Sequence, residues 1–286
     1  MAKRYKSGDT VGRFEVVDVL GQGSHGTFYR AAANNDGRAV FLKGYNSPSP
    51  RVPWYRAYLE HQQSIWDGIA ASPAARFTYR AIELFEHERQ YFQAIEHLDG
   101  LDVEAALEQN IGSPSARLIW ARVLTAGLAA FHALGVVHCD LKPANLHLTP
   151  DASIHAGYVV RLIDFDWAVR TAAPAPWHGS KDYVGTTNYA SPEHLRGEVP
   201  SAASDVFTAA LIILELLFGV HPYCRETMGD YREAVLAGAS DLNALTARAS
   251  EAGRWRHYLP MLSAALDLDP ARRPTAGRLN ELLNGQ

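Results

Sequence analysis

His138-Cys139-Asp140-Leu141-Lys142-Pro143-Ala144-Asn145, followed further along by Leu162-Ile163-Asp164-Phe165-Asp166, is the pair of stretches on which the reading turns. The first follows a long run of helical periodicity over Ser115–Leu134 and leads into a short β-like run. Asp140 can accept or orient a hydroxyl proton. Asn145 and Asp164 offer oxygen ligands of the hard kind that Mg²⁺ prefers. Lys142, two residues beyond Asp140, can offset charge on a transferring group. Any one of these side chains, alone in a loop, is a common turn former. Together, in this order, they point to phosphoryl transfer. That reaction asks a protein for positioning, charge neutralisation and a group to orient the attacking hydroxyl, and for little covalent chemistry.

Toward the N-terminus, Gly21-Gln22-Gly23-Ser24-His25-Gly26 fits G-x-G-x-x-G. The same pattern marks dinucleotide sites, but those open a helix, whereas Thr27-Phe28-Tyr29-Arg30 reads as a strand. Strand, glycine loop and strand suit a lid over phosphates, because glycine lets backbone N–H groups approach an anion. A plain hairpin turn remains the alternative on this motif alone. Ala39–Lys43 is a third strand that sets Lys43 within reach of phosphates under such a lid. A lysine there needs a carboxylate to hold it. Glu60, in the helical stretch Trp54–Ala70, is the expected partner, and Asp67 is the runner-up. Phe14–Leu20, Thr78–Phe85 and Gln90–Glu96 complete a β-rich N-terminal part. Helices dominate after Gly100: Ser115–Leu134, Ser204–Gly219 and Trp255–Leu266. The irregular stretch 171–181 and the proline-bearing stretch 47–53 are expected loops.

Composition narrows the classes. The chain has 286 residues, 47% hydrophobic and 20% charged, with a formal net charge of −4. These values describe a folded globular chain, and no basic run suggests nucleic-acid binding. The two cysteines, Cys139 and Cys224, are too few for a disulfide framework and lack zinc-type spacing. A reducing, cytoplasmic location is expected, with no signal peptide behind the polar N-terminus. The longest apolar run, Val206–Val220, contains Glu215 and is shorter than a membrane span, so it predicts a buried helix.

The ordered motifs resemble those of the eukaryotic-type Ser/Thr protein kinase family, over about Val11 to Leu283, with atypical His-Cys-Asp and Asp-Phe-Asp variants of two signatures. The resemblance implies an α+β, two-lobed fold: a small five-stranded lobe with one helix over about 11–96, a hinge at 96–100 and a mainly helical lobe over about 101–283. It implies ATP and Mg²⁺ (Mn²⁺ possible) as cofactors and a protein substrate with a Ser or Thr acceptor. It assigns Asp140, Lys142, Asn145, Lys43 and Glu60 to catalysis, and Asn145 and Asp164 to the metal. Nucleotide contacts fall on Gly21, Gly23, Gly26, Phe28, Phe41, Lys43, Ile95, Glu96, Leu98 and His147. The segment Gly185–Glu193 resembles the substrate-docking end of the activation loop. Asp205 resembles a buried aspartate that braces the catalytic loop, and Arg273 pairs with Glu193. By the same resemblance, Lys142 and Thr186 imply a preference for Ser/Thr over Tyr.

Four departures from the family pattern stand out. Cys139 replaces an arginine that usually grips an activation-loop phosphate, so activity is expected not to depend on that phosphate. Asp166 replaces a glycine, which restricts backbone freedom and adds a carboxylate near the metal ligands. Phe28, Phe41 and His147 replace aliphatic residues of the base pocket, where rings either obstruct adenine or stack on it. Thr149–Tyr158 is a longer insert than usual, of solvent-loop composition. Two other readings stay open. One is a pseudokinase, a nucleotide-binding or scaffold protein with an obstructed adenine pocket. The other is a kinase-like small-molecule phosphotransferase, which usually lacks the glycine loop and the Ser191-Pro192-Glu193 segment present here.

Overall fold

The computed structural model describes residues 3–23, 26–46, 51–171, 174–178, 186–223, 228–240, 242 and 252–286. The chain divides into two compact units, Met1–Asp99 with Ala175–Trp177, and Gly100–Pro174 with His178–Gln286. The first is β-rich and the second mainly helical, the α+β class expected.

The first unit carries an antiparallel sheet of β1 (Thr10–Val11), β2 (Phe14–Gln22), β3 (Gly26–Ala33), β4 (Ala39–Tyr45), β5 (Ala81–His87) and β6 (Gln90–Glu96), in the order β1-β2-β3-β4-β6-β5. It has six strands where five were expected. Thr10–Val11 folds back on β2 across Gly12, whose φ of 58° suits the turn, and pairs Val11 with Phe14. The strand expected from Thr78 begins at Ala81, because Ser72 caps a 3₁₀ turn over Pro73–Phe77 that uses up the preceding chain. Alternation sorts β4 by face. Val40 and Leu42 join Phe14, Val16, Tyr29, Ala31, Phe92 and Ala94 in one apolar cluster. Phe41, Lys43 and Tyr45 take the other face. Helix α1 (Tyr55–Ala70) buries Tyr55, Tyr58, Gln62, Ile65, Trp66 and Ile69, the i, i+3, i+4 stripe of an amphipathic helix.

In the second unit, Asp102 caps α2 (Val103–Glu108), accepting from the Ala105 N–H at 2.8 Å. Ser113 caps α3 (Pro114–Ala133), with proline at the first helical position. Short strands follow: β7 (Leu101–Asp102), β8 (Val136–Val137), β9 (Leu146–Pro150), β10 (Tyr158–Leu162) and β11 (Val169–Arg170). They form a three-stranded sheet, β10-β9-β7, and a β11-β8 pair. The insert after Thr149 closes the β9–β10 hairpin, its turn fixed by the Asp151 N–H to Gly157 carbonyl bond and by Ser153 donating to Asp151. Pro192–Leu195 is the one-turn helix α4. Helix α5 (Ala202–Phe218) is buried on nearly every face and stops at Gly219, which takes φ 67°. Among the described residues no helix is long and apolar enough to cross a membrane. The helix expected over Trp255–Leu266 is broken into Ala252–Trp255, a 3₁₀ turn and Leu259–Ala265. Pro260, which has no N–H to donate, sits in the first turn of the last piece.

Candidate active site

The sheet face opposite the apolar cluster gathers most of the expected nucleotide contacts in the first unit. In the β2–β3–β4 register Gly21 pairs with Phe28, and Phe28 with Lys43. Phe41 pairs with Ile95 on β6. Gly21, Phe28, Lys43, Phe41 and Ile95 thus occupy neighbouring register positions. The Phe28 and Phe41 rings lie 5.6 Å apart at 35°. A Cβ on Gly23 would stand 3.2 Å from the Phe28 ring, so the ring underlies the glycine loop. Gly26 has no room for a side chain either, since a Cβ would meet the Gly44 carbonyl at 2.7 Å. Ser24 and His25 lie outside the described residues. The Glu96 N–H donates to the Arg80 carbonyl, the Glu96 side chain accepts from the Arg80 N–H at 3.0 Å, and Leu98 is half-buried.

Lys43 is buried, and its Nζ stands over the Phe28 and Tyr45 rings. Glu60 is exposed on the outer side of α1, where it shares a surface hollow with Leu59, Gln63, Leu84 and Glu86. The position on the inner stripe belongs to Gln62, 1% exposed. Two residues of helix are a turn of about 200°, which is what separates the nearest carboxylate from the inner face. Asp67 is also exposed and accepts from Gln63 at 2.7 Å.

The second unit holds the residues expected to serve phosphotransfer. Asp140 is 8% exposed, and its Oδ1 accepts from Thr186 Oγ1 at 2.7 Å. Lys142 Nζ donates to the same hydroxyl at 2.9 Å and stands 3.6 Å from Asp140 Oδ2. Asn145 Nδ2 donates to the Asp140 carbonyl at 2.7 Å. That bond commits the amide nitrogen and turns Oδ1 into the group's remaining ligand atom. The Ile163 N–H donates to the Asn145 carbonyl at 3.0 Å, and Leu162 pairs with Leu146. Asn145 and Asp164 therefore flank the same end of the β9–β10 ladder. Asp164, not Asp166, takes the left-handed conformation, with φ 66°. The aspartate that replaces the family's glycine is thus spared the strain of a positive φ. His147 is half-buried on β9, paired with Asp102 and Arg161.

A buried frame holds this loop. Asp205 accepts from the His138 and Cys139 N–H groups at 2.8 and 3.0 Å and from His132 Nε2 at 2.8 Å. Burial alone would push its carboxyl up, but these donors hold it below the usual range. His138 Nε2 donates to the Ile163 carbonyl at 3.0 Å, while Nδ1 lies 3.4 Å from the Asp140 N–H, so the ring ties the two motif loops together. The Cys139 thiol is pushed well up, first by burial and then by Asp205, the opposite of what a reactive thiol needs. Cys224 lies outside the described residues, as do Gly185 and parts of the 171–181 stretch. Arg273 and Glu193 form a forked pair at 2.7 and 2.8 Å, and Ser204 donates to Glu193 at 2.6 Å. Burial opposes ionisation of Glu193, yet the guanidinium holds its carboxyl down at about 2.

Motif reading missed Gln62 and Tyr45. The stripe Tyr58, Ile65, Trp66, Ile69 passes through position 62, and that periodicity was the available signal.

These features coincide with a family resemblance measured on the whole chain. The model of the protein kinase domain matches residues 14–283, and the chain belongs to that family. It is similar to the serine/threonine-protein kinase PknD of Mycobacterium tuberculosis, 29% identical over 76% of this chain and 31% of that protein. It is also similar to mitogen-activated protein kinase kinase 5 of Leishmania mexicana, 30% identical over 91% of this chain and 47% of that one. Serine/threonine-protein kinase A of Synechocystis is 26% identical over 73% of this chain and 41% of its own length. The chain spans between about a third and a half of the length of these curated relatives.

Proposed function

We propose that this chain is a protein serine/threonine kinase that transfers the γ-phosphate of ATP to a Ser or Thr hydroxyl of a protein substrate. The observation that carries the reading is the triangle of Asp140, Thr186 and Lys142. Thr186 donates to Asp140 Oδ1 and Lys142 donates to Thr186, at 2.7 and 2.9 Å. This leaves the Asp140 carboxylate oriented toward the proton of an acceptor hydroxyl. As the oxygen bonds to the γ-phosphorus, the bond to the β–γ bridging oxygen breaks, and Lys142 offsets charge on the transferring group. Asn145 Oδ1 and the Asp164 carboxylate would hold Mg²⁺. Two protein oxygens suit an ion that fills its other positions with water and phosphate. When bound, the ion neutralises phosphate charge. Lys43 and the glycine loop would hold the phosphates, and Phe28, Phe41, Ile95, Glu96 and Leu98 of the first unit the base.

The buried Cys139, with no guanidinium in its place, supports activity that does not wait on a loop phosphate. Phosphatase-treated chain is expected to keep its rate. One observation favours the pseudokinase reading: Glu60, the expected carboxylate for the lysine, is exposed on α1, and the buried stripe of that helix carries Gln62. The retained Asp140, Asn145 and Asp164 favour chemistry, since a scaffold needs neither an orienting base nor metal ligands. The test is transfer of labelled phosphate from Mg-ATP to matched peptides carrying Ser, Thr or Tyr. Labelled phosphoserine and phosphothreonine, lost in Asp140→Asn, are expected. No incorporation into any protein or peptide, with nucleotide still bound, would establish the scaffold reading instead.

A further inference from the structure

Lys43 stands among rings. Its Nζ lies 5.2 Å from the Tyr45 ring centroid and 5.4 Å from that of Phe28, with the side chain 6% exposed. Both separations fall inside the roughly 6 Å over which a ring face attracts a cation, and the attraction grows when water is excluded. Residues two apart on a strand share a face, so Lys43 and Tyr45 project together from β4.

The Tyr45 ring is itself held on three sides. Its hydroxyl donates to Gln93 Oε1 at 3.2 Å, and Gln93 is the register partner of Lys43 on β6. Tyr91 packs on one side at 5.2 Å and 33°. Tyr58 of α1 meets it edge-on at 6.5 Å and 70°. Tyr58 is backed by Trp177, at 5.9 Å, and by Trp54, at 6.3 Å. Trp177 is 3% exposed and also meets His61 edge-on, at 5.4 Å and 88°. Tyr58 belongs to the buried stripe of α1, with Tyr55, Gln62, Ile65, Trp66 and Ile69.

We infer that Tyr45 is a positioning residue for Lys43: its ring face, clamped by Gln93, Tyr91 and Tyr58, sets the place of the ammonium that meets the nucleotide phosphates, with Phe28 as the second wall. The role of Lys43 toward phosphate rests on the kinase reading above. The aromatic cradle itself does not.

Two readouts separate these layers, both on the full chain. In the nucleotide-free protein, with ¹³C-labelled lysine, the Lys43 ε-methylene resonance is assigned by its loss in Lys43→Arg. Ring currents are expected to place it upfield of the exposed Lys6. Tyr45→Leu moves it back toward Lys6, and Tyr45→Phe, which keeps the ring, restores the wild-type position. In the second readout, Tyr45→Leu raises the KM for Mg-ATP about tenfold with a smaller change in kcat, and Tyr45→Phe recovers it. A Lys43 signal at the Lys6 position in the wild type, or one unmoved by Tyr45→Leu, overturns the cradle. A moved signal with unchanged KM overturns the positioning role. If Tyr45→Leu does not fold, Tyr45→Met, which also removes the ring, carries the same two tests, and the half-exposed Phe28→Leu carries the resonance test alone. A wild type that transfers no phosphate but shows the upfield signal leaves the cradle standing and removes the kinase reading.

Discussion

The two units hold their functional groups by different physics. Around Asp140 the side chains are fixed by hydrogen bonds of 2.7–2.9 Å to Thr186, Lys142 and Asn145, over a frame of buried acceptors led by Asp205. Around Lys43 ring faces are part of the setting, Phe28 and Tyr45 against the ammonium and Phe41 against Phe28. Hydrogen bonds specify atoms and protonation states, and losing one partner strands the other. Ring faces specify a place and a volume, and tolerate exchange for another ring. Substitutions in the polar loop should therefore act as switches, and those on the sheet face as graded adjustments.

The sharpest break falls at Asp140. Asp140→Asn should lower kcat by about 10³-fold or more, with circular dichroism and nucleotide affinity unchanged, since the group orients a reactant. Next comes the frame. Glu193→Gln leaves Arg273 buried without its counter-charge and should cost about 3 kcal/mol in urea unfolding. The pH dependence has a definite sign. The Glu193 carboxyl is depressed from 4.5 to about 2, so its stabilisation is complete above the unfolded value and is lost as pH falls through that window. Thr186→Val removes the donor to Asp140 and should lower kcat about tenfold, chiefly by letting the carboxylate rotate. On the sheet face, Phe41→Ala should weaken ATP binding about fivefold by calorimetry if the ring stacks on the base. Tighter binding would show instead that the ring obstructs it.

The smallest effect is a pH trend in the second unit. Glu215 accepts from the Tyr189 hydroxyl, yet burial, with Glu104 adding to it, pushes its carboxyl up to about 7. A raised carboxyl stabilises the fold below its unfolded value and loses that contribution as pH rises through about 7. The melting temperature of the wild type should accordingly fall relative to Glu215→Gln between pH 5 and pH 8.

The same contrast explains what the sequence disclosed. Asp140, Lys142 and Asn145 lie within one short loop, so their spacing already carries their geometry. Glu193 and Arg273 are far apart in the chain, and were paired only through family resemblance. The surroundings of Lys43 depend on strand register and on the rotation of α1, which no local motif encodes. Glu60 and Asp67 were the expected carboxylates by residue chemistry, and the helical stripe that buries Gln62 leaves both of them exposed. Tyr45 was legible in principle, two residues along the strand from Lys43. Trp177 was not, because the segment that carries it lies far along the chain from α1. Pro260 was a visible break that an otherwise helical pattern concealed.

The most direct test of the account is the single-turnover rate of phosphate transfer from Mg-ATP to a Ser peptide, measured for wild type and Asp140→Asn at saturating nucleotide. A measurable wild-type rate that requires the divalent ion and falls about a thousandfold or more in the variant is the predicted result. Equal rates in the two proteins, or wild-type transfer that proceeds without a divalent ion, would contradict it.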